Sequence, residues 1–233
     1  MLDLLALHPP GWGGALLRGA VVTLEIAVLA YAAGIVLGLL GAGAKLGGSR
    51  ALFWLAETYT TLIRAVPELL LIILLFYAGS SGIAALLSAL GFGDVRISGF
   101  AAAVGVLGVV QGAYQTEVIR GAIVAIPRGQ IEAARAYGMP SLLRLRRIVV
   151  PMMLPIALPG LANLWLILLK DTALVSVVGF SELLYVGKQA AGSTKEYFLF
   201  YMAVGAIYLV MTLGSNVVFR LAERRLRRSV PAM

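Results

Sequence analysis

The sequence predicts an all-α integral membrane protein with five transmembrane helices. Three observations predict it. The chain is 61% hydrophobic and only 13% charged, with a mean hydropathy of +0.95, whereas soluble domains carry about 25% charged residues. Five apolar stretches each reach the roughly 20 residues that a helical crossing needs. The basic residues gather in the connections on one side of those stretches.

The spans fall at about 15–43, 53–79, 99–121, 148–171 and 198–221, within a single membrane domain covering 1–233. In lipid every backbone polar group must be bonded within the protein, so these stretches are helices, and the period-two alternation of a membrane barrel is absent. The opening MLDLLALHPPGWGG lacks a basic segment before its apolar residues and breaks at Pro9-Pro10-Gly11, so it does not read as a cleaved signal. The single histidine, His8, reads as solvated. Without cysteines, disulfides and Cys-ligated metals are excluded.

The first span carries Gly34, Gly38, Gly41 and Gly43, with Glu25 in its opposite half, and the third carries Gly105, Gly108 and Gly112. Small residues at this spacing let helices approach closely. Within the second span, Pro67 predicts a bend, and Glu68 follows it directly. The third span becomes polar toward its end, with Gln111, Tyr114, Gln115 and Glu117, and Glu117 pairs with Arg120 at i, i+3. The fourth has Pro151, Pro155 and Pro159 on one face, then Asn163, Lys170, Asp171 and Thr172. Ionisable groups inside a membrane are expensive and default to a functional reading. Asp171 is therefore a pathway candidate, whereas Lys170 reads as reaching for water. Gln111, Tyr114 and Gln115 fit either a hydrated path or interhelical hydrogen bonding.

Thirteen of the 19 lysines and arginines follow the first, third and fifth spans: Lys45 and Arg50, the six arginines from Arg120 to Arg147, and the five from Arg220 to Arg228. Arg18, Arg96, Lys170, Lys188 and Lys195 lie on the other side, and Arg64 lies near the start of the second span. The positive-inside rule puts the N-terminus outside and the C-terminus in the cytoplasm. The net charge of +8 is then an orientation signal with attraction to anionic headgroups. The basic tail RLAERRLRR has no aromatic residues for stacking, which argues against a nucleic-acid partner.

No phosphate-binding loop, metal-ligand cluster or Ser/His/Asp set is present, so the chain does not read as an enzyme. Energised transport would need a separate engine. The connection 127–151 faces the cytoplasm by the charge rule. It reads as two short helices: Gln130–Tyr137, ended by Gly138, and Ser141–Arg147, with Ser141 as N-cap. Ile131, Ala134 and Tyr137 share a stripe. Such a unit suits a groove on a soluble partner or the headgroup layer.

In that connection, QIEAARAYGMPSLLRLRRIVVP resembles the EAA loop of bacterial ABC importer permeases. Glu132, Ala133, Ala134, Gly138, Ile148 and Pro151 stand at the loop's spacing, with Val150 where leucine is usual. GAVVTLEIAVLAYAAGIVLGLLGA, TTLIRAVPELLLIILLFY and LPGLANLWLILLKDTALVSVVG extend the likeness to the polar amino acid permeases, nearest the Q-type subunits for histidine, lysine, arginine and ornithine or for opines. The resemblance implies the type I importer fold in the bacterial inner membrane, with a periplasmic N-terminus. It also implies a second permease subunit or copy, two ATP-binding subunits that hold the ATP and Mg, and a periplasmic substrate-binding protein. Glu132 through Pro151 would couple to the ATPase. Gln111, Tyr114, Gln115, Asn163, Asp171 and Thr172 would attend the amino acid in alternating access. Some arginine-specific relatives carry an acid at the position of Leu164, so the resemblance leaves open whether this subunit or its partner holds a cationic side chain. An ion-gradient-driven secondary transporter or channel, or a non-transporting scaffold, would also keep the polar spans but would not need the EAA spacing.

Overall fold

The computed structural model describes residues 2–92 and 97–228. Arg96, counted above among the outer-side charges, lies outside the described residues, as do the side chains of Arg227 and Arg228. Among the described residues all regular structure is helical. The helices are α1 (Gly13–Leu46), α2 (Arg50–Ala65), α3 (Glu68–Phe92), α4 (Gly99–Val124), α5 (Arg128–Ala136), α6 (Ser141–Val178), α7 (Leu183–Thr194) and α8 (Tyr197–Arg228). Four of them, α1, α3, α6 and α8, are long and apolar enough to cross a membrane. The chain is therefore a multi-pass membrane protein. α4 is less apolar, but half of its 26 residues are buried in protein, so its neighbours rather than lipid shield its polar side chains.

The stretch 53–79, expected as one bent span, is instead two helices. Val66 is extended (φ −99°, ψ 140°) and Pro67 precedes the first turn of α3. Proline pushes the residue before it out of the helical region and lacks the N–H that would continue the ladder, which explains a full break. The apolar crossing then runs from Glu68 to Phe92 through wider π turns at Leu75–Gly79 and Ser88–Phe92.

A second correction concerns Ser141. It begins α6 without a capping hydrogen bond, and no separate short helix follows it. Instead Ser141–Arg144 runs through a π turn at Leu145–Val149 into Val150–Asp171. That π turn falls where Pro151 leaves the Arg147 carbonyl without its usual donor. Pro155 and Pro159 lie inside the same continuous helix.

The tightest seam joins α1 to α4. A Cβ on Gly34 would stand 3.0 Å from Gln111 Cβ, and one on Gly38 would stand 2.9 Å from Gln115 Cβ and 3.1 Å from its backbone carbon. On the opposing helix, Gly108 meets Ala33, and Gly112 meets Leu37 and Tyr59. In lipid, close packing and interhelical hydrogen bonds replace hydrophobic burial as the force holding helices together. Gly38→Val should therefore lower stability by about 1–3 kcal/mol, since the opposing backbone has nowhere to move. Thermal melting of the detergent-solubilised protein checks this. Gly43→Ala serves as the control, because open space surrounds Gly43.

Three apolar clusters sit along this seam. Ile26, Ala30, Ile72, Leu107 and Leu168 gather α1, α3, α4 and α6 at the middle. Leu16, Leu183, Ala190, Phe200 and Val204 hold α7 between α1 and α8 at one end. Ala42, Ile119, Ile126, Val149 and Met153 close the other end, with Ile131 of α5 packed on them. This last cluster seats the connection 127–151 on the bundle.

Candidate functional site

Two regions carry the residues expected to act. The first is the connection 127–151. Pro127 opens α5, whose inner side is set by buried Ala134 and half-buried Ile131. The helix stops because Gly138 takes φ 69°, a left-handed conformation that glycine adopts without strain. Gly138 N–H then donates to the Arg135 carbonyl (2.9 Å), and Met139 N–H donates to the Ala134 carbonyl (3.0 Å), closing the orphaned end. Tyr137 leaves the Ile131–Ala134 stripe, contrary to expectation, because the helix ends before it. It is 86% exposed, and Leu142 across the turn is 77% exposed. Glu132 and Ala133 are exposed as well, whereas Ile148 is half-buried and Val149 is buried. The connection thus exposes one acid and two large apolar side chains on an otherwise basic turn.

The second region is polar and lies where α2, α3, α4 and α6 meet. Glu68, at the start of α3, lies near enough to Tyr114 of α4 and Asp171 of α6 to act on both electrostatically. The Arg64 guanidinium lies 6.0 Å from the centre of the Tyr114 ring. Two carboxyl groups facing each other repel when ionised, and a cation placed between them relieves the repulsion. A cation or hydrogen-bond donor suits two such acids, and Arg64 and Lys170 already stand near the cluster.

The other expected pathway residues are not brought to this cluster. Gln111 and Gln115 are fully buried against the α1 glycines. Gln111 Oε1 and both polar side-chain atoms of Gln115 find no hydrogen-bond partner there. Interhelical hydrogen bonding, one of the two readings left open above, is not made by these atoms. Thr172 is buried and donates to the Leu169 carbonyl at 2.8 Å. Asn163 is exposed and lines a separate cavity of about 250 Å³ between α6 and α8, with Asn216, Arg220 and Glu223. Lys170 is exposed, as expected for a side chain reaching for water.

Two further polar clusters went unread in the sequence. At the end near the connection, Lys45 Nζ donates to Glu57 Oε2 (2.7 Å), Thr60 Oγ1 (2.7 Å) and Glu117 Oε1. Glu117 also accepts from Arg120 Nη2 at 2.9 Å, the pair its i, i+3 spacing predicts. At the far end, the Glu182 carboxylate caps α7, accepting from the N–H groups of Leu184 (2.9 Å) and Tyr185 (2.8 Å). It also accepts from the hydroxyls of Thr23 and Tyr208. Burial pushes the Glu182 carboxyl up, against the pull of these donors. The Lys45–Glu57 pair spans only the α1–α2 turn and could have been sought there. Pairs separated by 72 residues (Lys45–Glu117) or 159 residues (Thr23–Glu182) leave no local signal.

The long apolar crossings, with half-buried Glu68 and Asp171 among them, are those of a multi-pass membrane subunit. Residues 34–228 match the family described as binding-protein-dependent transport system inner membrane component, and the chain belongs to that family. It is 45% identical over 229 residues to the octopine transport system permease protein OccQ of Rhizobium radiobacter, covering 98% of this chain and 97% of that one. It is 43% identical over 215 residues to the histidine/lysine/arginine/ornithine transport system permease protein HisQ of Escherichia coli K12, covering 92% and 94%. A solved amino acid ABC transporter with histidines is 34% identical, with a TM-score of 0.78 over 92% of this chain and 95% of that one. The methionine transporter MetNI, in an inward-facing conformation, shares the fold at 19% identity, with a TM-score of 0.76 over 94% of this chain and 99% of that one.

Proposed function

We propose that this chain is the permease subunit of an ATP-driven importer in the bacterial inner membrane, carrying a polar, basic amino acid or an opine inward by alternating access. The chain is a permease rather than an enzyme; separate ATP-binding subunits hydrolyse ATP with Mg. A periplasmic binding protein delivers substrate, and a second permease subunit or copy completes the pathway. Five crossings, with the N-terminus periplasmic and the C-terminus cytoplasmic, agree with the basic residues on the side of 127–151. Glu132, Ala133, Ala134, Gly138, Ile148 and Pro151 form the coupling segment. Closure of the ATP-binding subunits draws the two coupling segments together and shifts the crossings between states of different affinity.

The observation that carries this reading is the near full-length likeness to the octopine and histidine/lysine/arginine/ornithine permeases. The Glu68–Asp171 pair extends it to substrate. Arginine, lysine and ornithine carry a cationic group, octopine keeps the guanidinium of arginine, and a cation suits two facing carboxylates. Of the residues named from sequence, Tyr114 and Asp171 remain in this role, joined by Arg64 and Glu68. Asn163 in its separate cavity attends the path nearer the cytoplasm, and Gln111, Gln115 and Thr172 support the helices.

Reconstitution into proteoliposomes with the ATP-binding subunits and binding protein tests the reading. Uptake of labelled arginine, histidine or octopine is expected only when ATP is hydrolysed. Uptake by this chain alone, driven by an ion gradient, would overturn it in favour of a secondary transporter.

A further inference from the structure

Lys45 is a buried ammonium in a place where a leucine would pack at lower cost. Its side chain is 2% exposed. Removing an ion from water costs several kcal/mol even after relaxation, and ion pairs recover this only with full hydrogen bonding. Here the hydrogen bonding is full. Lysine has three donors, and they go to Glu57 and Thr60 of α2 and Glu117 of α4. Because Arg120 holds the other oxygen of Glu117, two positive and two negative groups balance. An arrangement that stabilises no better than an apolar one fixes geometry instead, and here it fixes three helices at one atom.

The position of this atom gives it consequence. Ala42, one turn before Lys45, packs with Ile119, Ile126 and Val149 in the cluster that seats the connection 127–151. On α2, Glu57, Thr60 and Arg64 recur at i, i+3 and i+7, so they share a helix face. Arg64 is the guanidinium beside Tyr114, and Glu68 begins α3 just past the Val66–Pro67 break. α2 also donates from the Tyr59 hydroxyl to the Val109 carbonyl of α4. One continuous body thus runs from the seat of the connection, through Lys45 and along α2, to Arg64, with Glu68 four residues on across the Val66–Pro67 break.

We infer that Lys45 is a positioning residue for coupling: its bonds to Glu57, Thr60 and Glu117 make α2 the lever that carries displacement of the 127–151 segment to Arg64 and Glu68. This rests on the reading of that segment as the coupling segment. The chain has no cysteine, so Ala65→Cys, at the exposed end of α2, gives this subunit a single reporter thiol. In the complete transporter, its rate of labelling by a water-soluble maleimide is compared between nucleotide-free and vanadate-trapped states. With Lys45 present the two rates should differ about fivefold or more, the scale of a typical coupling between sites. Lys45→Met should reduce the difference to less than about twofold, while ATP hydrolysis and assembly on size exclusion persist. A purely structural role would change assembly rather than this contrast.

An unchanged contrast in Lys45→Met overturns the inference, as does the absence of any contrast in the parent. Should Lys45→Met fail to assemble, Glu57→Gln at the more exposed partner carries the same expectation, and an unchanged contrast there overturns it equally. Gly138→Val in the same background separates the two ideas. If Gly138→Val loses the contrast and Lys45→Met keeps it, only the Lys45 lever fails. If Gly138→Val keeps it, the coupling reading of 127–151 fails.

Discussion

Gly138→Val is expected to abolish uptake while the protein still inserts, assembles and supports ATP hydrolysis. The cause is conformational rather than steric. Gly138 sits at φ 69°, and a Cβ added there would meet nothing within 4 Å. An L-residue in the left-handed region costs roughly 1–2 kcal/mol, and a β-branched one more. The strain is relieved only by unwinding the turn, which breaks the Met139 N–H to Ala134 carbonyl bond that ends α5. The exposed Glu132, Tyr137 and Leu142 would then no longer be held in their present relation. The bundle itself is spared, because α5 seats on it through Ile131 and Ala134 on the side away from the turn. Uptake per ATP should fall about tenfold or more in Gly138→Val. Gly138→Asn should fall least, because asparagine tolerates this region best, with Gly138→Ala between them. Uptake and hydrolysis measured together in proteoliposomes check the order, and normal uptake by the valine variant would remove Gly138 from coupling.

The glycine at the turn was legible in the sequence because its cause is local: a short helical stripe followed by a residue free to take positive φ. The long helices were legible for a similar reason. Composition alone locates α1, α4 and α8 within a few residues over most of their length, although α8 runs on into the basic tail. The second crossing was misplaced because amphipathic Arg50–Ala65, though less apolar than Glu68–Phe92, holds enough apolar residues to extend the stretch upstream, while the break depends on two residues, Val66 and Pro67. Ser80, Ser81, Gly82 and Ser88 further hid the true extent of α3, although two of those serines satisfy themselves on the carbonyls of Phe76 and Tyr77.

The polar residues of α4 show where local reasoning stops. Gln111, Tyr114, Gln115 and Glu117 all read as membrane-depth polar groups, and a helix buried on several sides gives no amphipathic contrast to sort them. Only the neighbours decide. Gln111 and Gln115 meet the α1 glycines, Tyr114 meets Arg64 and Glu68, and Glu117 meets Lys45. Each partner lies on another helix, so spacing within α4 could not reveal it. Asp171 was picked out by the cost of an acid at that depth, whereas Glu68 was noted without a role because its partner is about a hundred residues away.

That partnership sets the other large expectation: Glu68→Gln and Asp171→Asn should each raise KM for arginine uptake about tenfold or more, with a smaller effect for histidine. Hydrogen bonds to charged groups contribute about 1.5–3 kcal/mol, which corresponds to that range. Histidine near neutral pH is mostly uncharged on its ring, so it forfeits less when an acid is removed. The two substitutions should not add. The carboxyls face one another, so removing either also relieves their mutual repulsion, and part of each single loss is offset. The double variant should therefore lose more than the product of the single losses, and it should no longer prefer arginine over histidine. Hydrolysis in the absence of substrate should remain as in the parent, since neither acid touches the 127–151 segment. Initial uptake rates across substrate concentration, with hydrolysis followed in parallel, separate these outcomes. If Asp171→Asn leaves both KM and maximal rate for arginine untouched, the acid pair is an interior contact between α3 and α6, and the cation must bind elsewhere along the pathway.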